Sequence, residues 1–361
     1  MARGFRNLTD LDLVLPAAGA VFLGPNGHGK TNLLELLSYP VLFRSLRGAR
    51  DSEVVRHGET GFQLTLSLAG NGSGSVRELA AGFRSATRKK AVGVDGAEAT
   101  RLGDAIGHWL AVAFLPGDLA LVQGGAAVRR QYLDRLLALA DRQHFRALVR
   151  YRQALSQRNA ALRSGRRRVA EAFDSELGGA GARLVRRRLE WVEEQANRFS
   201  AGCSALGEPA RMTMRYCGSE RLADEEAWPG ALRDAAARDD GLGQTTIGPH
   251  RDELELRLDG RPLRQVGSTG QHRTVAIALR LRERDTLAEA RGDAPALLLD
   301  DVFAELDRER QERLAELLEP ERSGGPQVFI TSPRADELPA GFHLPVMTVE
   351  SGTVGGVEVA S

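Results

Sequence analysis

Gly24-Pro25-Asn26-Gly27-His28-Gly29-Lys30-Thr31 decides the fold class of this chain. It fits the spacing G-x-x-x-x-G-K-[ST]. An apolar run at 20–23 precedes it, and a helical pattern opens at Asn32 and continues to 37. Strand, loop and helix in that order are the context a phosphate loop requires. The glycines let backbone N–H groups turn toward phosphate oxygens, and the start of the next helix adds partial positive charge. Lys30 is placed to reach β- and γ-phosphates and the Thr31 hydroxyl to bind Mg²⁺, so the expected nucleotide-binding set runs from Gly24 to Asn32.

Far downstream, Leu297-Leu298-Leu299 is an apolar strand closed by Asp300 and Asp301, the Walker B pattern. Ligands of α/β sheets sit at the C-terminal ends of strands. Asp300 is expected to bind Mg²⁺, directly or through water, and Asp301 to orient or deprotonate the attacking water. About 270 residues separate the two motifs, so a lobe is inserted between them.

The insert has a composition of its own. The chain has 361 residues, 49 Lys+Arg and 48 Asp+Glu, for a net charge of +1. Residues 126–200 hold 17 arginines and 8 acids, leaving the remainder acidic. Apolar residues at helix-like intervals predict a helix over 128–162, a turn at Ser164-Gly165, and a second helix to about 199, loosened at Gly178-Gly179-Ala180-Gly181. No heptad is sustained, which disfavours a long coiled coil. Before the insert, strands are expected at 62–68, 76–83, 91–94 and 109–115. After it come a hairpin at 252–264 turning on Asp259-Gly260, helices at 271–290 and 308–318, and strands at 296–300 and 327–331. The expected fold is α/β: an ATPase lobe from 1–117 and 245–361, and a helical, arginine-rich lobe from 118–244.

Several classes fall away. No apolar run is long enough to span a bilayer. The start, Met1-Ala2-Arg3-Gly4-Phe5-Arg6, has no apolar leader, so a cytoplasmic address without membrane attachment is expected. Cys203 and Cys217 form no CxxC pair, and the seven histidines show no ligand spacing, which argues against zinc.

Ser268-Thr269-Gly270-Gln271 precedes the helix expected from 271. A hydroxyl and backbone N–H groups at a helix start make either an anion site or an ordinary cap. In the order phosphate loop, Ser-Gly-Gln helix, Asp-Asp strand and Glu305-Leu306-Asp307, the chain resembles ABC/SMC-type ATPase heads. Gly4-Phe5-Arg6-Asn7, Phe43-Arg44-Ser45, Val55-Arg56-His57-Gly58, Arg129-Arg130, Arg158-Asn159 and Gly248-Pro249-His250-Arg251-Asp252 narrow the likeness to the RecF family of bacterial recombination and gap-repair proteins.

That resemblance implies a P-loop head with an inserted helical lobe, ATP and Mg²⁺ as ligands, and Ser268, Gly270 and Gln271 acting on the γ-phosphate held by another copy, so that ATP closes a head-to-tail homodimer. It implies binding to double-stranded and gapped DNA, and partnership with RecR and the RecO/RecA pathway. Thr331-Ser332-Pro333 stands where transporter ATPases carry a switch histidine, Asp301 is shorter than the usual glutamate, and Ala304 replaces a frequent serine. The first two point to slow hydrolysis. A Q-loop-like contact is expected from Asp118 or Gln123. Candidate DNA contacts are Arg166, Arg167, Arg168, Arg186, Arg187 and Arg188, with Lys89 and Lys90, although these also fit a solvated surface. A transporter ATPase subunit and a short SMC-like tether are the rival readings, disfavoured by the insert, the missing switch histidine and the lack of a long coiled coil.

Overall fold

In the computed structural model, residues 1–69, 76–304, 306–318, 326–339 and 344–358 are described. Glu305 of the expected Glu-Leu-Asp element lies outside them.

The chain divides into two compact units, Met1–Gly117 with Gly292–Ser361, and Asp118–Arg291. The second boundary is a correction. Residues 245–291, expected in the ATPase lobe, belong to the helical unit. The reason is pairing: strand Glu253–Leu258 is antiparallel to Met212–Cys217 of the insert, and Trp191 of the insert donates its indole N–H to Thr286 at 2.9 Å.

The first unit is built on a six-stranded sheet in the order Thr353–Glu358, Val346–Glu350, Gly19–Leu23, Val328–Ser332, Ala296–Asp300, Ala111–Phe114. All neighbours are parallel except the first pair. The central strands read as continuous apolar runs because both faces are covered; Phe22 and Phe329 stack on one of them, centroids 5.9 Å apart. A second, antiparallel sheet contains Gly61–Ala69, Val76–Arg84 and Lys89–Val94. Its inner face meets the phosphate-loop helix Lys30–Leu42 through an aromatic cluster of Phe5, Tyr39, Phe62 and Phe83.

The helical unit departs from expectation twice. The helix expected over 128–162 is two, Ala126–Ala140 and Arg142–Arg163, because the Asp141 carboxylate accepts the Gln143 N–H at 2.7 Å and caps a fresh start. The glycines at 178–181 do not loosen anything: Asp174–Ala205 is one helix. They make room for a partner instead. A Cβ on Gly181 would lie 2.2 Å from the Trp228 ring, and one on Gly178 3.1 Å from Trp228 Cβ. The hairpin turn is as expected, with Asp259 and Gly260 both at positive φ (46° and 78°), the type I′ signature.

The motif residues of this unit form buried polar joints. Arg158 donates to Asp174, Asp239 and Thr245 at 2.7–2.9 Å, and Asn159 Oδ1 accepts the Thr245 N–H. Arg129 grips Glu253 with two hydrogen bonds. In Gly248–Asp252, the Pro249 carbonyl accepts from Arg188, His250 pairs with Tyr151, and Asp252 accepts from Ser219 and Tyr216. Burial pushes His250 down to about 4, so it is a neutral joint at physiological pH. Among the described residues no helix is long and apolar enough to cross a membrane.

Candidate nucleotide site

The strand Gly19–Leu23 and the helix Lys30–Leu42 hold the phosphate loop between them. Gly27 (φ 84°) and Gly29 (φ 112°) are left-handed, a conformation glycine reaches without a Cβ clash. No side chain caps the helix, so its first N–H groups are left for the loop's own purpose. Lys30 is buried, with Nζ donating to the Gly24 carbonyl (2.6 Å), the Pro25 carbonyl (3.1 Å) and Asn26 Oδ1 (3.3 Å). The ammonium is thus held across the loop by neutral oxygens.

Around the loop is a brace that the motif alone does not reveal. Asn7 Nδ2 donates to the Gly27 carbonyl (3.1 Å), and Asn32 donates to Asn7 Oδ1 (2.8 Å). From the C-terminal hairpin, the Ser351 N–H donates to His28 Nδ1 (3.1 Å) and the Gly352 N–H to the His28 carbonyl (2.9 Å). A Cβ on Gly352 would lie 2.0 Å from the Asn7 carbonyl oxygen, and one on Gly24 2.1 Å from that of Val349. Behind the helix, buried Glu35 accepts from Arg6, Ser45 and Arg47. The Gly4-Phe5-Arg6-Asn7 and Phe43-Arg44-Ser45 elements therefore meet at this helix.

The carboxylates arrive at the end of strand Ala296–Asp300, which is separated from the loop's own strand by Val328–Ser332. Thr31 Oγ1 donates to Asp300 Oδ1 at 2.8 Å, bridging the loop helix and the Walker B strand. Thr331, on the strand between them, also donates to Asp300 Oδ1 at 2.8 Å and accepts the Asp301 N–H at 3.0 Å. The sequence marked Thr331 only as the residue standing in place of a switch histidine, not as a partner of Asp300. Asp301 has φ 48°, a left-handed backbone that Asp tolerates better than most residues and that clusters at functional sites. Burial, then the Asp300 charge, pushes its carboxyl above the ordinary range; Lys30 and Thr331 pull the other way. Two hard oxygens held together beside a phosphate loop are a donor set that suits Mg²⁺, which usually takes one or two protein oxygens and completes its shell with phosphate and water.

Ser268, Gly270 and Gln271 lie in the second unit, at the start of Thr269–Arg291. Ser268 Oγ accepts the Gln271 N–H (3.2 Å), and Gln271 Oε1 accepts the Ser268 N–H (3.0 Å). This is a reciprocal capping box, so the hydroxyl expected to face an anion is engaged locally. Asp118 receives two hydrogen bonds from Arg280 (2.5 and 3.0 Å), and Gln123 Nε2 lies 3.2 Å from His272 Nδ1. Both Q-loop candidates have partners within their own unit.

The basic candidates separate. Arg188 is 2% exposed and paired with Asp134 at 2.5 Å, and Lys90 pairs with Asp51 at 2.7 Å beneath the Phe43 carbonyl. These two are structural, which corrects their assignment as DNA contacts; their acids lie 54 and 39 residues away in sequence. Arg167 pairs with Glu171 and Asp240, Arg187 with Glu190 and Glu194, and Arg186 donates to the Ala223 carbonyl. Lys89, Arg166 and Arg168 are exposed.

Residues 1–353 match the family described as RecF/RecN/SMC N terminal domain. The chain is 38% identical over 366 residues to the DNA replication and repair protein RecF of Anaeromyxobacter sp. (strain Fw109-5), covering 97% of this chain and 96% of that protein. It is similar to the solved structure of the recombination mediator protein RecF-ATP in the RecFOR pathway, with a TM-score of 0.89 and 28% identity over 99% of this chain and 96% of that one. The corresponding RecF-ATPrS structure gives 0.85 and 29%, over 98% and 96%.

Proposed function

The chain belongs to the RecF family, and on that premise we propose that it is an ATP-dependent DNA-binding protein of recombinational and replication-gap repair. The observation that carries the nucleotide half is the bond from Thr31 to Asp300 across two strand ends, beside a complete phosphate loop. The DNA half rests on the family and on the surplus of arginine in the helical unit.

Phosphates of ATP take the loop N–H groups and Lys30, which exchanges its neutral carbonyl partners for anionic oxygens, a stronger class of hydrogen bond. Thr31 and Asp300 would hold Mg²⁺, which when bound neutralises phosphate charge. Asp301, with its carboxyl raised and its backbone fixed by Thr331, orients or deprotonates water. Hydrolysis is slow because a short aspartate stands in the base position. ATP joins two copies head to tail, each Ser268 helix start meeting the other copy's γ-phosphate once Gln271 yields its place. DNA lies against the basic helical unit, and RecR with the RecO/RecA pathway acts downstream.

Sizing the chain with and without ATP and gapped DNA tests the assembly. A dimer that needs ATP supports it; a monomer under all conditions overturns it. Ser268→Arg is expected to bind ATP as a monomer and to lose dimerisation and hydrolysis, and mixing it with Lys30→Met should restore part of the ATPase through one composite site. Normal dimerisation and hydrolysis by Ser268→Arg alone would reduce Ser268 to a helix cap.

A further inference from the structure

The helix Arg142–Arg163 contains six arginines and no acid. Two of the six are structural: Arg158 is buried against Asp174 and Asp239, and Arg152 pairs with Asp134. The helix buries His144, Leu148, Tyr151, Arg158 and Leu162 on its inner face. On the outer face Arg142, Arg146, Arg150, Gln153 and Gln157 are all exposed. Their spacing of three and four residues sets them in a single row.

Some exposed arginines elsewhere in this chain carry acids, Arg198 with Glu289 at 2.5 Å and Arg215 with Glu255 at 3.2 Å, while Arg166 and Arg168 are exposed as well but do not form a row along one helix face. Among the described residues no carboxylate pairs with Arg142 or Arg146, and Arg150 has only Glu176 at 3.9 Å. The nearby Asp141 carboxylate is committed to the helix cap. Like charges one turn apart repel, so this row weakens its own helix unless an anion meets it.

We propose that the outer face of helix Arg142–Arg163 is a track for the sugar–phosphate backbone of a nucleic acid, gripped by Arg142, Arg146 and Arg150 and continued by Gln153 and Gln157. The proposal rests on the DNA-binding reading above and assigns it a surface not among the arginines expected from sequence. At 1.5 Å per residue the row is about 22 Å long and its arginines, four residues apart, stand about 6 Å from one another along the helix axis, so each can meet a different phosphate of one backbone. Guanidinium forks take two phosphate oxygens apiece, and the glutamines add neutral donors without sequence preference. A lipid surface fits less well, because a membrane-lying helix needs a free apolar face. Here that face is buried in the unit, and Val149 alone, 50% exposed, interrupts the row. An acidic protein partner would want an apolar or aromatic anchor at the centre of the contact, and the row offers none.

The test uses the full chain with ATP and a fluorescein-labelled gapped duplex, with affinity measured from about 50 to 200 mM salt. Arg142→Gln/Arg146→Gln/Arg150→Gln should weaken binding more than tenfold at low salt. It should also flatten the slope of log affinity against log salt by about 2–3, at roughly 0.9 for each phosphate that is no longer neutralised. Arg198→Gln/Arg215→Gln, in the same unit, should match the wild type. Circular dichroism melts of both variants establish that they fold. An unchanged slope in the triple variant, or an equal loss in both variants, overturns the track while leaving DNA binding intact. A wild-type chain with no salt-dependent DNA binding overturns the DNA reading and the track together. Vesicles of phosphatidylserine form a parallel arm: a triple variant that loses only vesicle binding makes the face a lipid contact and overturns the proposal.

Discussion

Two helix starts in this molecule carry the residues of an anion site, and they are prepared differently. At Lys30 no side chain caps the helix, the loop before it is shaped by left-handed glycines, and a buried ammonium is tethered to neutral oxygens. At Ser268 the hydroxyl and the Gln271 amide satisfy each other. The first start has its loop, its ammonium and its left-handed glycines all within one chain. The second is closed on itself, and an incoming anion must outcompete a capping box worth about 1 kcal/mol. A serine at a helix start is therefore not enough to mark a ligand site; what its hydroxyl already holds decides how the site is used.

The largest effect that would sharpen this contrast is chemical. Asp301→Asn is expected to bind ATP but to lose about 10²–10⁴-fold in turnover, the span of general base catalysis. The wild-type rate should fall as acid protonates Asp301, at a pH above that of an ordinary aspartate because its carboxyl is raised. The variant should lack that limb in a pH–rate profile. Loss of ATP binding instead would make Asp301 a structural or metal-holding group.

Next is Lys30→Met, expected to weaken ATP binding by about 100-fold, near 2.7 kcal/mol, with a near-native melt. Calorimetry showing wild-type affinity would remove the distinction between the two helix starts. Gly352→Val comes third. Its added side chain must push against the Asn7 carbonyl, disturbing the brace on Gly27, so the KM for ATP should rise about tenfold with kcat little changed. A drop in kcat alone would mean that the hairpin serves the chemistry and not the loop. The smallest effect is Ser268→Ala, which should lower unfolding stability by about 1 kcal/mol in a urea melt without ATP. A variant as stable as wild type would show that the cap contributes nothing.

What could be read from the chain follows the range of the forces involved. The phosphate loop, the Leu297–Asp301 strand end and the Asp259-Gly260 turn are local patterns, and each stands where its spacing puts it. The glycines at 178–181 misled because their partner, Trp228, is about 50 residues away. Lys90 and Arg188 misled for the same reason, since only folding reveals Asp51 and Asp134 beside them. The boundary at 291 was hidden because strand pairing, not composition, carries Glu253–Leu258 into the helical unit. In the site, Lys30, Thr31 and Asp300 stood out by motif and Thr331 only as the residue in place of a switch histidine, whereas the Ser351-Gly352 turn gave no signal of its own.

The seat of Trp228 on Gly178 and Gly181 has an optical consequence. The chain has three tryptophans. Trp191 and Trp228 lie in the helical unit, 0% and 1% exposed, with indole N–H groups bonded to Thr286 and the Leu222 carbonyl. Trp109, in the other unit, is half-buried and donates to the Leu37 carbonyl. Two dry indoles against one wetter one make the blue edge of the emission spectrum a signal of the helical unit. When denaturant lets water reach the 178–181 groove, that edge should collapse toward the red, and a transition followed there times the melting of the arginine-rich unit separately from that of the ATPase sheet.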